Sequence, residues 1–369
     1  MNRLFRWDQT GLFLLALAAG ILPFAVPEVC AAALREGLTL CSGPLLLSLF
    51  PFLVVSRLLI QCPESDLLAL PFRLAAWGIG IRTPCAARVL CIGFLGGFAP
   101  AASAAAQAVR TGQLTAEEAD ALLPACICSG PSFVVLTVGQ SLLGSAELGV
   151  LLFASQITAN YLTAALLNRF AGVRSVKPGS AAPASPAPPR LDEILADAAI
   201  TYCKLCGFIL FFRMLAAGAG ALLPAGAGTL CAILLEVCSG CDLASRTGRW
   251  GSLLCCAALS VQGLSVLLQV RTICPPEMTL RPLYRARMLH LPLSLALFYL
   301  LLPGGEADVF STLPARVFLM RRVPPDCALL VFAVCCMAAC TLRSGIRQVE
   351  QKQMARNAGG CCINSKTLL

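Results

Sequence analysis

Charge is what this sequence has least of. Only 13% of its 369 residues are Asp, Glu, Lys or Arg, against 58% hydrophobic residues. A soluble domain of this length could not cover its own surface with so few charges, so an ordinary water-soluble fold is excluded. The other solvent is lipid, where a spanning helix needs roughly 20 mostly apolar residues. Stretches of that kind recur along nearly the whole chain, and the mean hydropathy is +0.80. Histidine is scarce too, His290 being the only one. That leaves no nucleophile motif with a histidine in range and no cluster of metal ligands, and His290 is assigned no role. No Gly-rich loop runs into Lys-Ser or Lys-Thr to cradle a phosphate. Nothing in the sequence requires an enzyme, a metal or a cofactor.

Cysteine, by contrast, is abundant, with 21 residues. Many lie inside apolar runs, as at Cys255-Cys256 and Cys335-Cys336, where cysteine acts as a small hydrophobe. The C-x-x-C spacings Cys203/Cys206 and Cys238/Cys241 fall in membrane-type sequence, so a core role is preferred to metal or redox chemistry. The net charge of +9 comes from basic residues in loops between apolar runs, the distribution of the positive-inside rule and not of a nucleic-acid surface. The expected partners are the lipid bilayer and a small-molecule solute, with no nucleic acid; nothing fixes the oligomeric state. The N-terminal Arg3 and Arg6 followed by Gly11 to Val26 could pass for a signal peptide, but further spans follow directly, favouring a retained first helix.

Spans and loop charges together predict an all-α, polytopic transmembrane helical bundle with about eight crossings, its N- and C-termini cytoplasmic. A first helix is expected at residues 10–33 and a second at 41–61. Val89 to Val109, with basic residues at both ends and Gly96, Gly97 and Pro100 inside it, reads as a re-entrant hairpin turning at its Gly/Pro middle. Thr115-Ala116-Glu117-Glu118 has the pattern of a helix start. A helix at 121–143 is interrupted by Ser129-Gly130-Pro131, and another runs over 147–168. Val173 to Arg190, rich in Pro, Ala and Ser, reads as a flexible linker. Beyond it come a helix at 198–222, a short apolar piece from Leu230 to Cys241 containing Glu236, and a helix at 250–270 interrupted at Gln262-Gly263. A basic loop with Arg271, Arg281, Arg285 and Arg287 follows, then helices at 288–303 and 327–342 and a basic tail.

The predicted organisation is an N-terminal transmembrane helix (1–40), a first membrane repeat (41–172), the linker (173–192), a second repeat (193–303), and a C-terminal helix with its tail (304–369). The halves echo each other. Leu47-Ser48-Leu49-Phe50-Pro51-Phe52 resembles Phe208-Ile209-Leu210-Phe211-Phe212, and Ser129-Gly130-Pro131-Ser132-Phe133 resembles Gln262-Gly263-Leu264-Ser265-Val266. By loop charge the two units enter from opposite sides, an inverted repeat, although Arg246 and Arg249 fall on the expected outer side.

Inverted repeats with paired broken helices place a binding site near the bilayer midplane. Interrupted backbone is costly in lipid unless it faces a ligand, water or other protein. The candidate substrate-binding residues are therefore Ser129, Gly130 and Ser132 from one half and Gln262, Gly263 and Ser265 from the other, with Gln269 further along. Glu236, a carboxylate in an apolar run, has two readings: a proton or cation relay or ligand acceptor, or a group that pairs locally near a hairpin end. Asn160, with Gln156 a turn before it, either lines the same cavity or only holds helices together.

The ordered series Ser48-Leu49-Phe50-Pro51-Phe52, Gly96-Gly97-Phe98, Gly112-Gln113-Leu114-Thr115-Ala116-Glu117-Glu118-Ala119, Ser129-Gly130-Pro131-Ser132-Phe133, Asn160-Tyr161-Leu162, Leu235-Glu236 with Gly240, and Gly263-Leu264-Ser265-Val266 with Gln269-Val270 resembles the YlbJ-type sporulation integral membrane proteins. These belong to the wider nucleoside-recognition, or Gate-domain, group. The resemblance runs from about Leu45 to Leu302. It departs from the family's pattern where Ile127 and Cys128 replace two asparagines, near Ser103, where a basic residue is usual, and at Leu267-Leu268, where a histidine is usual. The resemblance implies a multi-pass protein of the cell membrane needed for spore cortex formation, which moves or senses a small solute. The alternatives are a non-transporting scaffold in spore envelope assembly and a general nucleoside or cation transporter.

Overall fold

Proline and glycine decide where the helices of this chain begin and break. The computed structural model describes residues 9–171 and 191–302, and these are all-helical. In order they form α1 (Gln9–Ala25), α2 (Pro27–Ser42), α3 (Pro44–Gln61), α4 (Leu70–Gly78), α5 (Pro84–Gly96), α6 (Phe98–Arg110) and α7 (Ala116–Cys126). A π-helical segment, Ser132–Leu142, precedes α8 (Ala146–Ala171). After the linker come α9 (Leu191–Leu222), α10 (Ala225–Leu235), α11 (Val237–Ser245), α12 (Gly251–Val261), α13 (Gly263–Ile273) and α14 (Arg281–Leu301). Helices α2, α3, α4, α5 and α14 each carry proline in their first two positions, where the missing N–H would be unpaired anyway.

Three stretches among the described residues are long and apolar enough to cross a membrane: Ala146–Ala171, Leu191–Leu222 and Gly248–Ile273. A fourth exists if the bent pair Leu15–Ala25 and Pro27–Ser42 is one span. The number falls short of eight because the crossings expected at 41–61 and 121–143 hold only the short apolar helices Leu49–Ile60 and Ser132–Leu142, and α14, at the expected 288–303, is not among the spans. The expected helix at 327–342, the basic tail, the linker and Arg3/Arg6 lie outside the described residues. Large apolar side chains cover the outer surface, with Phe24, Phe170 and Leu300 at least 77% exposed, as a hydrocarbon solvent allows.

Several boundaries differ from those the sequence predicts. The helix expected over 10–33 bends by 108° at Val26, because Pro27 disfavours helical backbone in the residue before it. The hairpin from Pro84 to Arg110 turns at Gly97, within the expected Gly/Pro middle, but Pro100 does not end the first arm: it sits in the first turn of α6. Helix α14 starts at Arg281, so Arg285 and Arg287 are helical residues, not part of a loop.

The interior is built from close-approaching small residues. Nearly every residue of α6 from Ala99 to Ala106 is buried, and this short helix packs on α3, α5, α7 and α13. The π-helical segment lies against α8 through Gly139 and Gly149: a Cβ on Gly139 would stand 2.4 Å from Gly149 Cα. Helix α9 runs beside both α2 and α3, where Tyr202 donates its hydroxyl to the Cys41 carbonyl and Arg57 pairs with Asp197 at 2.5 Å. Helices α8 and α14 pack on each other, and α14 also on α7 and α12.

Candidate functional site

Each half of the described chain holds one helical hairpin and one broken helix, and each hairpin tip touches a break. In the first half α5 and α6 meet at Gly97, whose backbone (φ 80°, ψ −163°) suits only glycine. A Cβ there would lie 2.7 Å from the Gly130 nitrogen, so this tip rests on the break between α7 and the π-helical segment. In the second half α10 and α11 are separated by the extended residue Glu236. Helices α12 and α13 are separated at Gln262, which is left-handed (φ 65°), and Gly263. A Cβ on Gly263 would stand 2.9 Å from the Glu236 nitrogen. The second tip thus rests on the second break.

The two breaks also touch. Gln262 Nε2 donates to Ser129 Oγ at 3.3 Å and to the Leu259 carbonyl at 2.7 Å, while its Oε1 has no partner. Glu236 accepts from the backbone N–H groups of Cys238 and Ser239 at 2.8 and 2.7 Å. A carboxylate at the N-terminus of α11 also lies at the favourable end of the helix dipole. Of the two readings of Glu236, local pairing accounts for these contacts.

The structure brings together Ser129, Gly130, Glu236, Gln262 and Gly263. Asn160, on α8, joins them indirectly by donating to the Ile127 carbonyl at 3.4 Å. Ser132 does not join: it is exposed at the start of the π-helical segment. Ser265 and Gln269 are buried one turn apart on α13, with Gln269 Nε2 donating to Ser265 Oγ at 2.9 Å and Gln269 Oε1 unpartnered.

Gln269 faces the cavity that opens between α3, α6, α9 and α13, with a volume of about 160 Å³. Its walls include Ser103 and Arg110 from α6, Arg57 from α3, and Asp197, Thr201 and Lys204 from α9. Ser103 and Gln269 each stand six residues beyond a glycine of the central contact, Gly97 and Gly263 respectively, about 9 Å along their helices. The cavity therefore lies at the outer end of α6, which starts at the first hairpin tip, and of α13, which starts at the second break.

A polar group that the sequence did not single out sits on the other side of the breaks. Arg287, buried on α14, donates from Nη2 to the Ile127 carbonyl at 2.7 Å and from Nη1 to the Ser260 carbonyl at 3.3 Å. Ile127 caps the C-terminus of α7, and Ser260 lies in the last turn of α12, so one guanidinium holds the negative ends of two broken helices from different halves. Beside it Gln156 donates to the Cys256 carbonyl and to Ser260 Oγ; Ser260 Oγ bonds Ser294 Oγ, and His290 Nε2 meets the Gln156 carbonyl at 3.2 Å. Arg287 stood fourth in a run of spaced arginines that matched a loop, so loop charge hid it.

Among the described residues no three His, Cys, Asp or Glu side chains converge as a metal site. The arrangement can hold helix ends together, and it can admit a small polar group beside Gln269. No family model, curated protein or solved structure matches this chain.

Proposed function

We propose that this chain is a multi-pass protein of the cell membrane whose two halves are inverted repeats, each with a re-entrant hairpin and a broken helix, and that it moves or senses a small solute. The observation that carries this reading is the pairing of hairpin tips with breaks, Gly97 on Gly130 and Gly263 on Glu236, joined through Gln262 and Ser129. Interrupted backbone at the centre of an apolar bundle is characteristic of solute sites. The contacts between elements also come in matched pairs: α6 touches α13 as α11 touches the π-helical segment, and α7 touches α14 as α12 touches α8. The described residues form tight contacts at the breaks, and the open volume lies further along α6 and α13. That fits a bundle closed at its centre and open at one end.

The resemblance to YlbJ-type proteins supplies the biological setting, spore cortex formation. The test is heat-resistant spore yield in the native host with the gene deleted, complemented by the wild type and by Gly97→Val. Loss of resistant spores, restored by the wild type and not by a stably expressed Gly97→Val variant, supports the reading. Normal spores after deletion would remove the sporulation role.

A second reading, a membrane scaffold without transport, is favoured by one observation: Glu236 spends both carboxylate oxygens on α11. Glu236→Gln separates the two, since a scaffold retains function wherever the variant folds. A solute-handling centre that uses the carboxylate loses it.

A further inference from the structure

We propose that the cavity between α3, α6, α9 and α13 is a binding site for a small anion that carries a hydroxyl of its own, of the phosphate or short hydroxycarboxylate class, the entry station for the solute. This inference rests on the solute-handling reading for its purpose, but not for its chemistry. Three cations stand in the walls, Arg57, Arg110 and Lys204, against one carboxylate, Asp197. Asp197 is already matched by Arg57 at 2.5 Å, with Thr201 as a further partner of Arg57 at 3.3 Å. Arg110 and Lys204 have no hydrogen-bond or ion-pair partner among the described residues, so the cavity has a surplus of two positive charges.

Basic residues at helix ends also serve topology, and by themselves they would not make a site. The independent observation is Gln269. It is only 2% exposed, it lines the cavity, and its Oε1 has no partner. A buried amide oxygen without a partner is destabilising unless something donates to it, and a bound solute with a hydroxyl or amino hydrogen would do so. Ser103 adds a second polar group on the facing wall. The volume of about 160 Å³ is below the roughly 300–1,000 Å³ of sites for drug-sized ligands. The size therefore selects an anion no larger than phosphate or a short organic acid. Phosphate monoanion keeps P–OH groups to give to Gln269, whereas sulfate has none at neutral pH.

The experiment is calorimetric titration of the full chain in nanodiscs of zwitterionic lipid with inorganic phosphate, sulfate and choline. We expect saturable phosphate binding, weaker sulfate binding and no choline binding. The double variant Arg110→Gln/Lys204→Gln, both positions being exposed, should weaken phosphate at least about tenfold. Gln269→Leu should narrow the preference for phosphate over sulfate. Undiminished phosphate binding in the double variant, or no saturable anion binding by the wild type, would overturn the proposal. A last arm adds anionic lipid: loss of phosphate binding there would assign the site to a lipid headgroup and overturn the solute form. Binding is read without transport, so a failure of the transport reading, seen as absent counterflow in proteoliposomes, is distinguishable from a failure of this one.

Discussion

The side chain of Glu236 shows how little a residue's type in an apolar run says about its task. Its carboxylate satisfies two N–H groups that α11 would otherwise leave bare. Glu236→Ala should lower stability by about 1–2 kcal/mol, the usual loss of a helix cap, and Glu236→Gln by less; thermal unfolding in detergent ranks the two. Gly97 is constrained by both its backbone and its neighbour Gly130. Gly97→Ala should cost about 1–3 kcal/mol from the backbone alone, with the contact adding to it. Gly112→Ala, also at positive φ (70°) but with nothing within 4 Å, should cost clearly less in the same assay. Arg287→Met removes two charge-assisted hydrogen bonds, strands the Ser260 carbonyl and leaves the Ile127 carbonyl only the longer bond from Asn160 at 3.4 Å. Its expected loss is about 3 kcal/mol or more, partly recovered by Arg287→Lys. Gly97, Gly130, Glu236 and Gln262 were legible in the sequence because each breaks an apolar run. Arg287 was not, since a basic residue near a helix start looks the same whether it faces water or carbonyl groups.

Among the elements, existence was more legible than boundaries. Helices α8 and α9 stand where apolar runs of spanning length predict them. The start of α7 at Thr115 has both halves of the capping box, with Glu118 N–H donating to Thr115 Oγ1 at 3.1 Å and Thr115 N–H donating to Glu118 Oε2 at 3.2 Å. The α1–α2 bend and the start of α14 were missed. The first depends on one proline inside a continuous apolar run, and the second on the tertiary contacts of Thr279 and Leu280 with Asp120 and of Arg287 with two helix-end carbonyls. The segment Ser132–Leu142 reads as an ordinary helix in sequence, yet it is π-helical. The position that holds it is testable. Gly139→Ala puts a Cβ against Gly149 and should separate this segment from α8, lowering the melting temperature. Gly207→Ala, in mid-α9 with nothing within 4 Å, should gain about 0.5–1 kcal/mol from helix propensity.

At the scale of the whole molecule, matched contacts between the halves lead to a prediction about sidedness. An epitope inserted after Gly112, beyond the first hairpin, and one inserted after Gly248, beyond the second, should be accessible from opposite faces of the membrane. A side chain at either glycine would meet nothing within 4 Å, so insertion there should be tolerated. Access to both from one face would rule out inversion. The guanidinium of Arg287 has a further consequence, for how such a bundle responds to its surroundings. Where the C-terminal ends of broken helices could bind a mobile cation, this chain carries a cation covalently attached to α14, and it cannot leave with a solute or be depleted by changing the salt. Any motion that shifts α14 along the membrane normal must carry that charge through the electric field. A full crossing would cost or return about 2.3 kcal/mol per 100 mV, whereas a guanidinium held on the Ile127 and Ser260 carbonyls adds nothing to that balance while it stays in place.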